Sequence, residues 1–217
     1  MYSLMYARFA GINEEGLPTW YKVDRNERGE YRESYMTTTT NYAEATQFNC
    51  GTALPSVYGG FGTSLRYRDF DLSVDFAYSI GGKVYDGDYA SLLSSPQDQS
   101  TGGAFHADVL KAWTAENPSN LFPRWQFGDQ RSAASSDRFL TNASYLNFTN
   151  ANFGYTIPRN ITRKIQVDKV RVYFSADNIW IWSKRQGLNP TQSITGAVNN
   201  TYYAPMRTLS GGINVTF

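Results

Sequence analysis

Side chains alternate between apolar and polar along much of the sequence, and this period of two constrains the fold more than any other feature. The clearest case runs from Phe70 to Ile80, where every second residue is apolar or aromatic. Since successive side chains of a strand point to opposite faces, the pattern predicts a strand with one apolar and one polar face. The same pattern predicts strands over 57–67, 146–157, 170–182 and 207–217, and a less regular one over 2–10.

The apolar positions change phase once, within 146–157. Leu146 and Phe148 occupy even positions, whereas Ala151, Phe153 and Tyr155 occupy odd ones. One extra residue near 149–150 would return the later side chains to the same face, so the sequence predicts a β-bulge there.

The connections between the predicted strands alternate in length. A tight turn at Arg68 and Asp69 and a moderate connection at 158–169 contrast with long segments at 11–56, 81–141 and 183–203. Compact soluble domains seldom carry a loop of roughly sixty residues, whereas outer-membrane barrels combine short periplasmic turns with long extracellular loops. We therefore expect an all-β fold, an antiparallel transmembrane β-barrel segment with long extracellular loops. A soluble β-sandwich, whose strands alternate in the same way, is the alternative.

Aromatic residues fall near both ends of the predicted strands. Trp180 and Trp182 would lie at the outer membrane interface, while Tyr67, Phe70, Tyr155 and Phe217 would lie at the inner one. Such girdles are typical of membrane barrels. Yet about six strands are too few, because bacterial barrels begin at about eight. The chain must therefore pair with strands from a further N-terminal part, a second chain or copies of itself.

Composition argues against several other functions. Lys and Arg number 20 against 19 Asp and Glu, which leaves no basic surplus for nucleic-acid phosphates. One His and one Cys cannot build a His/Cys zinc site or most His-dependent catalytic sites. Asp71 and Asp75 share a face but lie about 13 Å apart along a strand, beyond the reach of glycosidase carboxyl pairs. We expect no catalytic residue, metal or cofactor, and no enzyme activity.

Six sequence blocks point to a family. They are 9–21, 54–62, 145–150 together with 154–158, 172–178, 187–190 and 204–217, the last being the Pro- and Arg-bearing strand that ends on Phe217. Their types and order resemble SusC-like TonB-dependent transporters of the outer membrane of Gram-negative bacteria. Asn13 and Asn189 stand where that family usually has Asp. The resemblance implies that 1–217 form the C-terminal part of a larger barrel of about 22 strands, without the plug domain.

The resemblance also implies a function and partners. The function is outer-membrane import of oligosaccharides or peptides, together with a SusD-like surface lipoprotein. The remaining barrel and plug, TonB acting through the missing N-terminal part, and outer-membrane lipid complete the expected partners. The alternatives are a soluble carbohydrate-binding β-sandwich and a small porin-like barrel that assembles from copies of itself.

Three groups of residues are candidates for specific roles. Those expected to face the barrel lumen are Arg66, Asp71, Asp75, Arg171, Tyr173 and Asp177. Those expected to contact a ligand or partner from the loops are Trp20, Tyr21, Trp113 and Trp125. Those expected to close the barrel and to signal its insertion are Leu209, Ile213, Val215 and Phe217. The alternative for the first group is ordinary solvation in the lumen and charge pairing between strands. The alternative for the second group is that these residues form small cores within the loops.

Overall fold

The structure is a computed structural model that describes residues 2–25, 28–95, 103–129, 131–184, 188–192, 195–198 and 205–217. These residues form the strands β1 (Ser3–Ala7), β2 (Phe9–Ile12), β3 (Pro18–Arg25), β4 (Tyr31–Thr39), β5 (Gln47–Thr52), β6 (Val57–Tyr67), β7 (Phe70–Ile80), β8 (Lys83–Asp86), β9 (Leu140–Asn142), β10 (Tyr145–Thr156), β11 (Lys169–Ser183), β12 (Ala197–Val198) and β13 (Thr208–Thr216). The helices are short: α1 (Gly87–Leu92), α2 (Arg159–Thr162), and 3-10 turns at Tyr42–Glu44, Ala107–Lys111, Arg131–Ala133, Asp137–Phe139, Arg163–Ile165 and Pro190–Gln192. The all-β prediction is confirmed. Parts of the predicted loops 11–56, 81–141 and 183–203, and the starts of the blocks 187–190 and 204–217, lie outside the described residues.

The chain divides into two compact units. The loop unit comprises Met1–Leu54, Lys83–Asn142 and Ser193–Asn200, and the sheet unit comprises Pro55–Gly82, Ala143–Gln192 and Thr201–Phe217. The loop unit thus draws mainly on the segments that the sequence assigned to long loops. These segments contain strands of their own, which the alternation did not predict.

One five-stranded antiparallel sheet dominates the sheet unit, with the strand order β13-β11-β10-β7-β6. It contains every well-alternating segment of the sequence, and its strands are 9 to 15 residues long. The tight turn between β6 and β7 depends on Arg68, whose φ of 54° is left-handed. Antiparallel pairing brings this turn and the 157–168 connection to the same end of the sheet.

The predicted bulge is confirmed. Phe148 lies opposite Phe76 of β7, yet Asn150 lies opposite Asp75, so Thr149 is the extra residue of β10. The Thr149 hydroxyl donates a hydrogen bond of 2.9 Å to the backbone oxygen of Asp75. This bond satisfies a carbonyl next to the place where the ladder is interrupted, and the apolar side chains after the bulge return to the original face.

The apolar face of this sheet is exposed. Large side chains on it, such as Phe174 at 51% and Leu65 at 60% exposure, are not covered by a second sheet of the described residues. A row of aromatic residues crosses the face, because Phe61, Phe76, Phe148 and Trp180 are successive cross-strand partners. The rings of Phe76 and Phe148 stack 4.6 Å apart. The soluble sandwich, which requires a covering sheet, finds no support in this arrangement.

Both edges of the sheet are open. Among the described residues, β6 pairs only with β7 and β13 pairs only with β11. Five strands lie in this sheet where the sequence predicted about six, because the segment 2–10 is elsewhere. Its strand β1 pairs with β5, and β2 pairs with β3. Leu4 and Ala7 are both buried, a spacing of three that a regular two-faced strand cannot provide.

The loop unit has its own hydrophobic core. Its small sheets have the orders β1-β5, β2-β3-β4 and β12-β8-β9, the β12–β8 pair being parallel. Ala90, Leu93 and Phe139 form a buried cluster against which Tyr85 and Phe122 pack. Trp20 is only 1% exposed and meets the ring of Tyr42 edge-on at 5.2 Å.

Trp20→Ala is expected to destabilise the loop unit strongly. Removing a fully buried indole costs about 3–5 kcal/mol, because it removes apolar contacts and leaves a cavity. Limited proteolysis of the detergent-purified protein should cleave the loop unit much faster, while the sheet unit remains protected. The control is Leu110→Ala, whose side chain is 89% exposed and should leave the cleavage rate unchanged. Equal cleavage of the two variants would show that Trp20 does not hold this core together.

Candidate functional site

The polar face of the five-stranded sheet brings together the residues predicted to face the lumen. One row across the strands consists of Arg66, Asp71, Gly154, Tyr173 and Gly212. A second row consists of Gly62, Asp75, Asn150, Asp177 and Thr208. Each row therefore combines charged and polar side chains with glycines, which leave room for the longer side chains beside them.

Arg171 makes the central contact of this face. It extends from β11 across the whole of β10 and reaches Asp71 on β7. Its Nε donates to Asp71 Oδ1 at 3.0 Å, and Nη2 donates to Asp71 Oδ2 and, at 2.8 Å, to Asn152 Oδ1. This two-pronged geometry is the strongest form of an arginine–carboxylate pair.

Gly154 makes the crossing possible. It lies in β10 directly under the guanidinium group, and a Cβ atom at this position would come within 2.5 Å of Arg171 Cζ. Gly212 of β13 has a similar role under the neighbouring ring, because a Cβ there would lie 2.7 Å from Tyr173 Cζ. The Arg171 guanidinium lies 5.4 Å from the centre of the Tyr173 ring, close enough for a cation–π contact.

The other charged residues of this face differ in their surroundings. Asp177 accepts a hydrogen bond of 2.7 Å from Asn150 Nδ2, so it is held by its neighbour on β10. Arg66 and Asp75 are exposed. The face thus contains a fixed, internally paired centre and two charged side chains free to meet solvent or another molecule. It offers binding and positioning groups rather than an acid–base pair for catalysis.

The four loop aromatics predicted to contact a ligand or partner do not form one surface. Trp20 is buried in the core of the loop unit, so in this structure it is a packing residue. Trp113 is half-buried and lies against Gly16, whose φ of 79° and close approach both require glycine. Tyr21 is half-buried as well. Trp125 alone among the four is exposed, at 38%, with its ring edge-on to Phe105 at 5.1 Å.

Arg138 of the loop unit is a feature that the sequence analysis missed. Its guanidinium lies 5.1 to 5.6 Å from the ring centres of Phe9, Phe122 and Phe139, and Nη1 donates to the Ser132 carbonyl at 3.2 Å. Burial lowers the pKa of Arg138 to about 10, so the group stays protonated at neutral pH. Only the three-dimensional fold brings Phe9 to this cation, and no local spacing signals it.

The residues predicted to close the barrel lie along the outer strand β13. Leu209, Ile213 and Val215 pair with Ala176, Val172 and Val170 of β11 and have exposed side chains. Phe217 follows the strand and is 92% exposed. The free edge of β13 is therefore apolar on one face, as a strand that pairs with another strand within lipid would be.

Two features are absent from the described residues. These residues contain no group of three or more His, Cys, Asp or Glu side chains arranged to hold a metal ion. None of their helices has the length and hydropathy needed to cross a bilayer.

Sequence comparison finds relatives among curated proteins. No protein-family model matches the chain. The chain is 29% identical to TonB-dependent receptor P3 of Formosa agariphila over 178 residues, which are 77% of this chain and 17% of that protein. It is 29% identical to TonB-dependent receptor SusC of Bacteroides thetaiotaomicron over 160 residues, 73% of this chain and 15% of SusC. The predicted resemblance to SusC-like TonB-dependent receptors is confirmed.

Solved structures share the fold. The chain superposes on a chain of the RagAB peptide transporter with a TM-score of 0.73 and 24% identity, over 99% of this chain and 23% of that one. For the closed-closed state of the RagAB peptide importer the TM-score is 0.75, again at 24% identity. The chain thus spans between about a seventh and a quarter of the length of the proteins it matches. The names of these proteins denote receptors and transporters rather than enzymes.

Gly154→Ala is expected to break the bonds between Arg171 and Asp71, because the added methyl group displaces the guanidinium. Both partners are partly exposed, at 21% and 35%, so solvent screens the pair and the loss should be about 1 kcal/mol. The matched control is Gly211→Ala in β13, where a Cβ would make only an ordinary 3.7 Å contact. The measurement is the midpoint of thermal unfolding in detergent, monitored by circular dichroism.

A double-mutant cycle tests the cause. In an Arg171→Met background, Gly154→Ala should cost almost nothing further, since the displaced group is gone. If the two substitutions were simply additive, Gly154 would act through the backbone and not through Arg171.

Proposed function

We propose that this chain contributes strands and loops to the barrel of an outer-membrane importer that resembles SusC. In this proposal the five-stranded sheet crosses the outer membrane of a Gram-negative bacterium, its polar face lines the lumen, and the loop unit is extracellular. The imported nutrient is an oligosaccharide or a peptide.

The exposed apolar face of the sheet carries the proposal. Burying a Val, Leu, Ile or Phe side chain contributes about 1.5–3 kcal/mol, and this face leaves many such side chains about half exposed. In water the cost would be of order 10 kcal/mol, comparable with the whole stability of a domain at about 5–15 kcal/mol. In lipid the same face costs nothing, so hydrocarbon is the medium that the sheet fits.

Strand length and the placement of aromatic residues also support a location of the sheet in lipid. A transmembrane β-strand needs about 9–11 residues, and β6 and β7 have 11 each. Near one end of the face, Tyr78 and Trp182 are the two cross-strand partners of Leu146. At the other end, Phe70 and Tyr155 are cross-strand partners with their rings 4.7 Å apart. Tyrosine and tryptophan favour the two membrane interfaces, which these ends would occupy.

The open edges support the need for further strands. In lipid, unpaired backbone N–H and C=O groups along β6 and β13 would cost several kcal/mol each. We propose that the remaining barrel strands, in the same protein or in a separate chain, pair with both edges and enclose a plug. A SusD-like lipoprotein over the loop unit and TonB as the energy source complete the proposed assembly, by analogy with SusC.

Fractionation and uptake test the proposal. The protein should fractionate with the outer membrane and require detergent for extraction, and a strain lacking it should lose uptake of labelled peptides or oligosaccharides. A plug-domain sequence, found either in a co-purifying polypeptide or in the same polypeptide, would support the importer. A symmetric homo-oligomer would favour the small porin instead, and a water-soluble monomer would contradict both.

The orientation of the sheet can be tested residue by residue. In a Cys50→Ser background, a fluorophore attached at Phe174→Cys should be quenched by nitroxide groups on lipid tails, because this position belongs to the apolar face. The same fluorophore at the neighbouring Ser175→Cys lies on the polar face and should be quenched only by a water-soluble agent. Equal lipid quenching at both positions would contradict the proposed lumen.

Deletion of Phe217 is expected to reduce insertion into the outer membrane. We propose that the machinery that inserts barrels recognises an alternating last strand that ends on an aromatic residue. In this chain Leu209, Ile213 and Val215 are the other apolar residues of that signal. Quantitative immunoblotting of outer-membrane fractions should show a several-fold loss for the deletion, whereas Phe217→Trp, which keeps an aromatic ring, should retain normal levels. Normal levels of the truncated protein would remove this role from Phe217.

A further inference from the structure

A polar cavity lies within the loop unit. Its volume is about 350 Å³, and its lining residues are Arg124, Gln126, Phe127, Gly128, Asp129 and Arg131. We call it the arginine cavity. Its two arginines, its glutamine and its phenylalanine come from a segment of only eight residues, 124–131. Within this segment the sequence singled out only Trp125.

Arg124 is held in place by hydrogen bonds, but one nitrogen of its guanidinium group has no partner. Its backbone N–H donates to the Gly16 carbonyl at 2.8 Å, and its Nη1 donates to the Glu15 carbonyl at 3.3 Å. Its Nε is fully buried and has no hydrogen-bond partner among the described residues. A buried, unpaired guanidinium nitrogen is costly. This nitrogen is closed to solvent, so a ligand would offset that cost by placing a negative charge beside the guanidinium group rather than by bonding to Nε.

Arg131 also lines the cavity, beside Asp129. The Arg131 backbone N–H donates to Asp129 Oδ1 at 2.9 Å, and its Nε lies 3.7 Å from the same oxygen. The guanidinium is about half exposed, and among the described residues this long ion pair is its one contact with a carboxylate. Its remaining N–H groups can therefore turn to a ligand without breaking a strong bond.

The charge balance selects the ligand. Two arginines and one aspartate give the cavity lining a net charge of one positive unit, which complements a single negative charge better than a doubly charged phosphate. Arginine presents planar, paired N–H donors that match the two oxygens of a carboxylate. Phe127, 49% exposed, adds an apolar surface next to these donors.

We propose that the arginine cavity binds the carboxylate group of the imported ligand, with Phe127 contacting the apolar part next to it. This inference rests on the proposed import function and specifies its substrate class as a monoanionic carboxylate. Two sources share this chemistry. One is the C-terminal residue of a peptide, and the other is a uronic acid residue of an oligosaccharide, whose C–H face can lie against an aromatic ring.

The test compares charged and neutral forms of each probe. Isothermal titration of the detergent-purified protein, with any chains that co-purify, would use a short apolar peptide with a free or an amidated C-terminus. It would also use a uronate trisaccharide and its carboxyl-reduced neutral form. We expect one acid form to bind at least about tenfold more tightly than its neutral partner, as a charged hydrogen bond implies. The pair that shows this difference identifies the source.

Three variants localise the effect. Arg131→Gln, at a half-exposed site, should weaken binding of the acid form about tenfold and leave binding of the neutral form and the thermal unfolding midpoint unchanged. Arg124→Lys keeps the charge but not the planar fork, and should weaken it as well. The control Lys111→Gln removes an exposed charge from the same unit outside the cavity and should bind as the unaltered protein does.

The outcomes separate this inference from the import proposal. Equal binding of acid and neutral forms, unchanged binding by Arg131→Gln, or no binding of any probe would overturn the carboxylate site. Charge-dependent binding without uptake of the same labelled probe by cells would instead contradict the import function while the site stands.

Discussion

The structure depends on the requirement that the apolar face of the five-stranded sheet meet an apolar medium. No strand of the described residues covers this face, and its stacked aromatic rings, such as Phe76 on Phe148, pack sideways within the sheet. These contacts within the sheet fix the side chains in place, but they leave the face itself exposed to the surrounding medium. Whatever surrounds it must therefore be apolar over the length of about eleven residues of strand, roughly the thickness of a bilayer's hydrocarbon core.

The polar face follows from the same requirement. If one face is turned to lipid, charged residues can lie only on the other, and they must be stabilised there. The structure achieves this across strands: Arg171 spans β10 to bind Asp71, and Gly154 supplies the space. A charge pair that joins β7 to β11 also ties together strands that share no backbone hydrogen bonds. It therefore adds a connection that the ladder alone lacks.

Sequence reasoning predicted what depends on local pattern and missed what depends on distant contacts. The strands of the large sheet and the bulge at Thr149 follow from the alternation and its change of phase. The Arg171–Asp71 pair joins residues one hundred positions apart, so no local spacing in the sequence identifies the two as partners. The segment 2–10 was misassigned because its irregular alternation could not reveal that Leu4 and Ala7 are both buried in the loop unit.

The loop aromatics show why residue type alone is a poor guide to binding. A tryptophan in a long loop suits a ligand surface and a small core equally well, and the loop unit uses Trp20 for its core. A unit with its own core can hold neighbouring side chains in fixed positions, which flexible loops cannot. The backbone bond from Arg124 to Gly16 is an example, since it ties the arginine cavity to the turn at 13–16. Preorganised donors bind a ligand with less loss of conformational entropy. An ordered loop unit therefore allows charged residues such as Arg124 to bind a ligand, although in the sequence they look like ordinary surface residues.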